Sequence, residues 1–221
     1  MAPVRITAGS GAITVTAEER DDVIVDQGQH HPLGGVLEIK GDSEGVVMRV
    51  PNGTDLVVGA SSGSITLQGD LGEVRATTRS GGIEVESATS LDVRTMSGRV
   101  KIGTIAGAAR IKTASGKVSL VRVDEELHIA SVSGAVKVVD ANGEVRVNTV
   151  NGTVDVSLGT ASDARADSVS GSVNIRLPRG VKPSSSLLSI SGSCVCEVET
   201  GDDCSVTGRT VSGRITIKAR A

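Results

Sequence analysis

Apolar and polar residues alternate along nearly the whole chain, and the alternation restarts at a fixed interval. The kernel is Ser-Gly or Asn-Gly, then any residue, an aliphatic, any residue and a second aliphatic. Leu91-Asp-Val-Arg-Thr-Met-Ser-Gly-Arg-Val-Lys-Ile102 is one copy. The kernel begins at Ser62, Ser80, Ser97, Ser115, Ser133, Asn151, Ser170, Ser191 and Ser212, in steps of 17 to 21 residues. Self-similarity at a period near 18 residues marks a solenoid.

The phase inside each unit predicts the elements. Two and four residues after the glycine stand aliphatics such as Ile65/Leu67, Val100/Ile102, Val136/Val138 and Ile215/Ile217. Six and four residues before the serine stand Leu56/Val58, Leu91/Val93, Leu127/Ile129 and Val145/Val147. Both sets have period two, so each unit holds two short strands with one buried face. The glycines between them, Gly63, Gly81, Gly98, Gly116, Gly134, Gly152, Gly171, Gly192 and Gly213, mark the corner where a Cβ would be resisted. Like stacked on like means parallel pairing from coil to coil. The predicted fold is therefore all-β: one parallel β-solenoid domain over residues 1–221, right-handed by the crossover rule.

The ends of the pattern differ from its middle. Residues 1–15 hold one copy, with Val4 and Ile6 before Ser10-Gly11 and Ile13 and Val15 after it. The next stretch, 16–53, carries aliphatic runs at 23–25, 36–39 and 46–50 between turn-rich segments, including Gln27 to Gly35. These read as antiparallel hairpin strands capping an open sheet edge. Residues 1–53 are thus the N-terminal coil and cap, and 54–221 the regular coils. The last two units lengthen to 21 residues, and the final coil has no visible cap.

The outward positions carry a second regularity. Arg75, Arg110, His128, Arg146 and Arg165 recur five residues before the kernel, with Asp92 in the same place in its coil. Glu73, Glu126, Glu144 and Asp163 recur seven before it. Residues two apart on a strand share a face, so the acidic column offsets the repulsion within the basic one at Glu73/Arg75, Glu126/His128, Glu144/Arg146 and Asp163/Arg165.

Composition narrows the picture. The chain has 38% hydrophobic residues but no Phe, Tyr or Trp, which implies a slim core filled by branched aliphatics. A formal net charge of −3 gives no attraction toward nucleic acid or anionic membrane. The missing aromatics also remove the stacking platforms of single-stranded nucleic-acid and sugar sites. No apolar run reaches the ~18 residues a spanning helix needs, and the first residues enter a strand pattern at once. The expectation is a cytoplasmic protein with no membrane insertion.

Pro51-Asn-Gly-Thr-Asp-Leu-Val-Val58, Ser62-Gly-Ser-Ile-Thr-Leu67 and the run of Val-Ser-Gly-x-Val-x-Val copies resemble a bacterial family. It is the adhesin-labelled domain-of-unknown-function family of DUF4097 type, and the resemblance covers nearly the whole chain. It implies a β-solenoid and a role in surface attachment, although the chain shows no signal, anchor or cell-wall motif.

No catalytic constellation stands out. Cys194, Cys196 and Cys204 are too few for a disulfide framework. Cys194 and Cys196 hold the core phase of Val173/Ile175, so they are expected to point inward as small hydrophobes. His30 and His31 fall in a turn segment and His128 in the charge row; surface positions are expected for all three. The corner serines read as turn residues whose hydroxyls bond nearby backbone. No metal, cofactor or catalytic residue is assigned.

The leading expectation is a non-enzymatic scaffold or adhesin-like module that presents a long flat face to an unidentified protein or polymer. An alternative is a polysaccharide-active enzyme, with Asp92, Asp155 and Asp167 as candidate carboxylates. A further alternative, by analogy with bactofilins, is a self-assembling structural protein that forms homo-oligomers through solenoid ends or flat faces.

Overall fold

A computed structural model describes residues 3–33, 36–41 and 43–220. Among these residues there is no helix, and the chain divides into two compact units, 1–111 and 112–221. Each unit is a stack of parallel β coils, so the protein is an all-β parallel β-solenoid.

The first unit contains β1 (Val4–Ala8), β2 (Ile13–Glu18), β3 (Ile24–Gln27), β4 (Gln29–Leu33), β5 (Val36–Gly41), β6 (Val46–Pro51), β7 (Leu56–Ala60), β8 (Ile65–Thr78), β9 (Ile83–Ser97) and β10 (Val100–Ile105). β7 and β8 lie parallel beside β1 and β2, with Leu56 on Val4 and Ile65 on Ile13. The expected cap over 16–53 needs correction. β5 and β6 are parallel coil strands, set on the other side of β1 and β2 with Ile39 on Ile6 and Met48 on Val15. Their aliphatics share the inward phase of the first copy, and that phase decides the pairing even without a Ser-Gly kernel. The antiparallel part of the cap is confined to β3, which lies on β6, and β4, which lies on β5. β4 falls inside the segment read as a turn; Gly34, Gly35 and the side chains of His30 and His31 lie outside the described residues.

Arg49 of β6 clamps this cap by donating to both carboxylate oxygens of Asp26 on β3, at 3.1 and 2.8 Å. That bond holds the Asp26 carboxyl below the usual carboxylate range. The stabilisation it adds is therefore present above the ordinary carboxylate pKa and fades as pH falls through the lowered one.

β11 (Ala109–Val123) begins at the end of the first unit and lies mostly in the second. It is followed by β12 (Leu127–Ala141), β13 (Val145–Leu158), β14 (Ala164–Leu177), β15 (Pro183–Cys196) and β16 (Cys204–Ala219). Register is exact in the sense that matters for packing. Leu127, Val145 and Ala164 stand in line from coil to coil, as do Val136, Val154, Val173 and Ile215, and Gly134, Gly152, Gly171 and Gly213. Each side chain is a rung in a column of its own kind, so branched aliphatics fill the core without an aromatic.

The order of the last two coils departs from the chain order. β16 pairs with β14 on one side and β15 on the other, so β15 is the outermost strand. The inward positions explain the choice. β16 offers Val206, Ile215 and Ile217, all fully buried, where β15 offers Ser185, Cys194 and Cys196; the one inward aliphatic of β15, Leu187, stands opposite Gly208. Placing the more aliphatic coil inside removes more apolar surface from water. Arg220, just after β16, then anchors that strand across the stack: its Nη1 donates to Asp140 Oδ1 at 2.8 Å and to the Leu158 carbonyl at 3.2 Å.

A buried hydroxyl row lies two residues before the kernel. Thr113 Oγ1 donates to the Ser115 carbonyl at 3.1 Å, tying the strand to its own corner. Thr113→Val keeps the shape and loses this bond, and is expected to cost about 1 kcal/mol, read from the urea midpoint.

Candidate functional site

The position directly before each kernel is outward by alternation, because the residues two before it are buried. In the first unit it holds Ser61, Arg79 and Met96, all exposed. In the second unit it holds Ala114 and then five branched aliphatics, Val132, Val150, Val169, Val211 and Ile190. The flanking pairs Ser131/Thr149, Thr149/Ser168, Ser168/Thr210 and Ser189/Thr210 place these five in line, in that order. Their exposures run from 41% at Val150 to 78% at Ile190, whereas the inward aliphatics Val136, Val154, Val173 and Ile215 are near zero. With strands ~4.8 Å apart, the row extends about 19 Å. A single exposed valine is ordinary, but a contiguous apolar row is the kind of surface that marks an interaction site.

This row is not among the columns predicted from the sequence, although strict alternation from the inward aliphatics assigns the valine of each Val-Ser-Gly to the outside.

In the second unit His128, Arg146 and Arg165 lie four positions before this row on the same strands. Arg75 approaches Glu73 at 3.6 Å and Arg146 meets Glu144 at 2.6 Å. Arg165 bonds Asp167 at 2.7 Å, and Asp163 accepts from the backbone N–H of Ser205 at 2.7 Å, so these two do not pair with each other. Arg110 and Glu126 are exposed, and His128 is half-buried.

The three candidate carboxylates do not converge. Asp92 is held by Arg94 at 3.2 Å and approached by Arg75 at 3.9 Å; Asp155 pairs with Arg176 and Asp167 with Arg165. Asp155 follows the corner and sits beside Asn174, while Asp167 precedes it and sits beside Asn148. Two hollows are described. One of about 180 Å³ is lined by Glu84, Arg99 and Lys101, among others, and one of about 230 Å³ by Asp55, Glu73 and Arg75. Both fall short of the ~300 Å³ at which small-molecule sites begin. Among the described residues no group of three or more His, Cys, Asp or Glu is placed to hold a metal ion.

The cysteines correct the expectation set for them. Cys194 and Cys196 do hold the inward phase, opposite Ile215 and Ile217, but both are exposed because β15 is the outermost strand and nothing among the described residues stacks on it. Cys204 is buried, and burial together with the Asp163 and Asp203 carboxylates pushes its thiol pKa up. In dilute native protein, Cys194 and Cys196 are expected to take a maleimide quickly and Cys204 only after unfolding. Mass spectrometry of the labelled peptides checks this.

A slim aliphatic solenoid with a corner glycine column and an outward apolar row is a repeat scaffold by construction. The chain belongs to the Toastrack DUF4097 family, whose family model matches residues 4–218. No curated protein matches it. Two solved structures resemble it. A candidate adhesin from Bacteroides fragilis is 16% identical with a TM-score of 0.44, over 100% of this chain and 93% of that one. A candidate cell adhesion protein from Clostridium sporogenes is 9% identical with a TM-score of 0.31, over 99% of this chain and 92% of that one. No helix among the described residues is long and apolar enough to cross a membrane.

Proposed function

We propose that this protein is a non-enzymatic, adhesin-like binding module, and that the outward row Val132, Val150, Val169, Val211 and Ile190 is where a partner protein docks. The observation that supports it is the in-register exposure of five branched aliphatics in one line; the other exposed aliphatics, among them Val47, Val121 and Leu188, form no line of that length. A rigid sheet holds these side chains without further loss of backbone freedom, so little ordering opposes binding. The charged positions on the same strands supply a polar rim that steers and orients the partner.

Site-specific photocrosslinking in the source cells tests the reading. A photoreactive residue at Val150 is expected to capture a discrete partner, while one at Lys137, outward on the far side of the corner, captures none. Absence of any adduct at Val150, or equal capture at both positions, contradicts it. Robust turnover of a polysaccharide, lost on Asp155→Asn or Asp167→Asn, would favour the enzyme alternative instead.

A further inference from the structure

We infer that the free edge of β15 joins two copies of this chain into a closed, two-fold dimer. β15 is paired with β16 over its length, from Pro183 on Cys204 to Cys196 on Ile217, and no described strand covers its other side. Its sequence, Pro-Ser-Ser-Ser-Leu-Leu-Ser-Ile-Ser-Gly-Ser-Cys-Val-Cys, holds no charged residue, and its only proline is the first. Exposed edges are normally blunted by charge, proline, bulges or a covering element, because a row of unpaired backbone groups templates another strand. The chain does this in the first unit, where β3 and β4 cover β6 and β5 and Arg49 pins the cover down. It does not do so at β15.

The side chains agree with the backbone. Leu188 is 61% and Ile190 78% exposed on the outward face of β15. On the inward face, Cys194 and Cys196 are exposed in the phase where Ile215 and Ile217, one coil in, are fully buried. Another rung is what would complete this end of the core.

The occupant the surface fits is a second β15. Antiparallel self-pairing matches two uncharged strands of equal length. The charges that flank β15, Lys182 and Glu199, are paired with each other within the chain at 2.7 Å, so neither sets an unpaired charge against the joint. Head-to-tail growth would need an open edge at β5 and β6, and those edges are already paired with β4 and β3. The contact is therefore isologous and closes at two copies. It uses the end of the sheet and meets the partner-docking row only at that row's last residue, Ile190, so substitutions placed elsewhere on β15 test it separately from partner docking.

Light scattering after size exclusion, on the purified full chain across a range of concentrations, decides the matter. The expected result is a rise from 22.4 kDa to twice that mass and no further. Ser186→Lys with Leu188→Lys brings four like charges to the joint while leaving Ile190 in place, and is expected to leave a monomer that melts like the dilute wild-type chain, both positions being exposed. Val132→Lys, at the other end of the row, should leave the dimer intact. Alkylation of Cys194 and Cys196 should slow as the dimer forms. A monomer at every concentration, a dimer that survives the double substitution, a dimer lost in Val132→Lys, or growth into longer species would each overturn the inference.

Discussion

Gly171→Ala is expected to destabilise the second unit by about 3 kcal/mol or more, one of the two largest effects of any single substitution here. Gly171 has φ of +133°, a conformation that side-chain-bearing residues rarely adopt. A Cβ built on it would overlap the backbone carbonyl oxygen of Gly152, its neighbour in the column. Backbone in the middle of a stacked sheet has no room to yield, and the same crowding recurs from Gly152 to Gly134. Relief at one corner would therefore displace the next. Gly9→Ala is the matched control: nothing lies within 4 Å of the added carbon and its φ is not in the left-handed region. There alanine should be neutral or stabilising by up to about 1 kcal/mol, through the unfolded chain. Urea midpoints of the two variants give the comparison directly.

Leu127→Ala is expected to cost about 2–5 kcal/mol, by lost burial and by the cavity left behind. Leu127 is fully buried and stacks on Val145. In a stack whose coils touch only their neighbours, each rung is supported from two sides, so a hole at one rung weakens the coupling of the coils it joins. The surrounding rungs are β-strand residues fixed by their own ladders and cannot collapse into the gap. Val121→Ala, on an exposed valine of the same unit, should stay within about 0.5 kcal/mol. A Leu127→Ala effect no larger than that of Val121→Ala would mean that the inward columns do not carry the stability.

The repeat was legible because period two and period near 18 are independent signals that agree in phase. From them follow the strands, the parallel register and the corner at residues such as Ser133-Gly134 and Asn151-Gly152. What phase does not contain is spatial order. Any coil with inward aliphatics stacks on any other, so nothing in the alternation says that β5 and β6 lie on the far side of β1 and β2, or that β16 slips between β14 and β15. The relative strength of the inward residues was the available clue: Ile215 and Ile217 against Cys194 and Cys196. Read as a contest for the interior, it would have put the cysteines at the exposed end, where the structure has them. The outward valine row was legible too, since Val169 sits one residue from a buried Ser168 and must face away from it. Attention to the glycine and its following aliphatics left that position unread. The charge columns were visible as columns, but which carboxylate meets which arginine depends on local reach: Arg165 takes Asp167 and leaves Asp163 to the backbone of Ser205.

β16 lies inside the stack and β15 at its end, and both the exposed cysteines and the free edge follow from that order. Hydrogen exchange of dilute, monomeric protein, resolved by peptide, tests this most directly. Amides of 204–219 are held between two strands and should be protected to the level of β13, while about half of those in 183–196 face the open edge and should exchange early. Protection of 183–196 together with rapid exchange of 204–219 would place the coils in chain order and contradict the account.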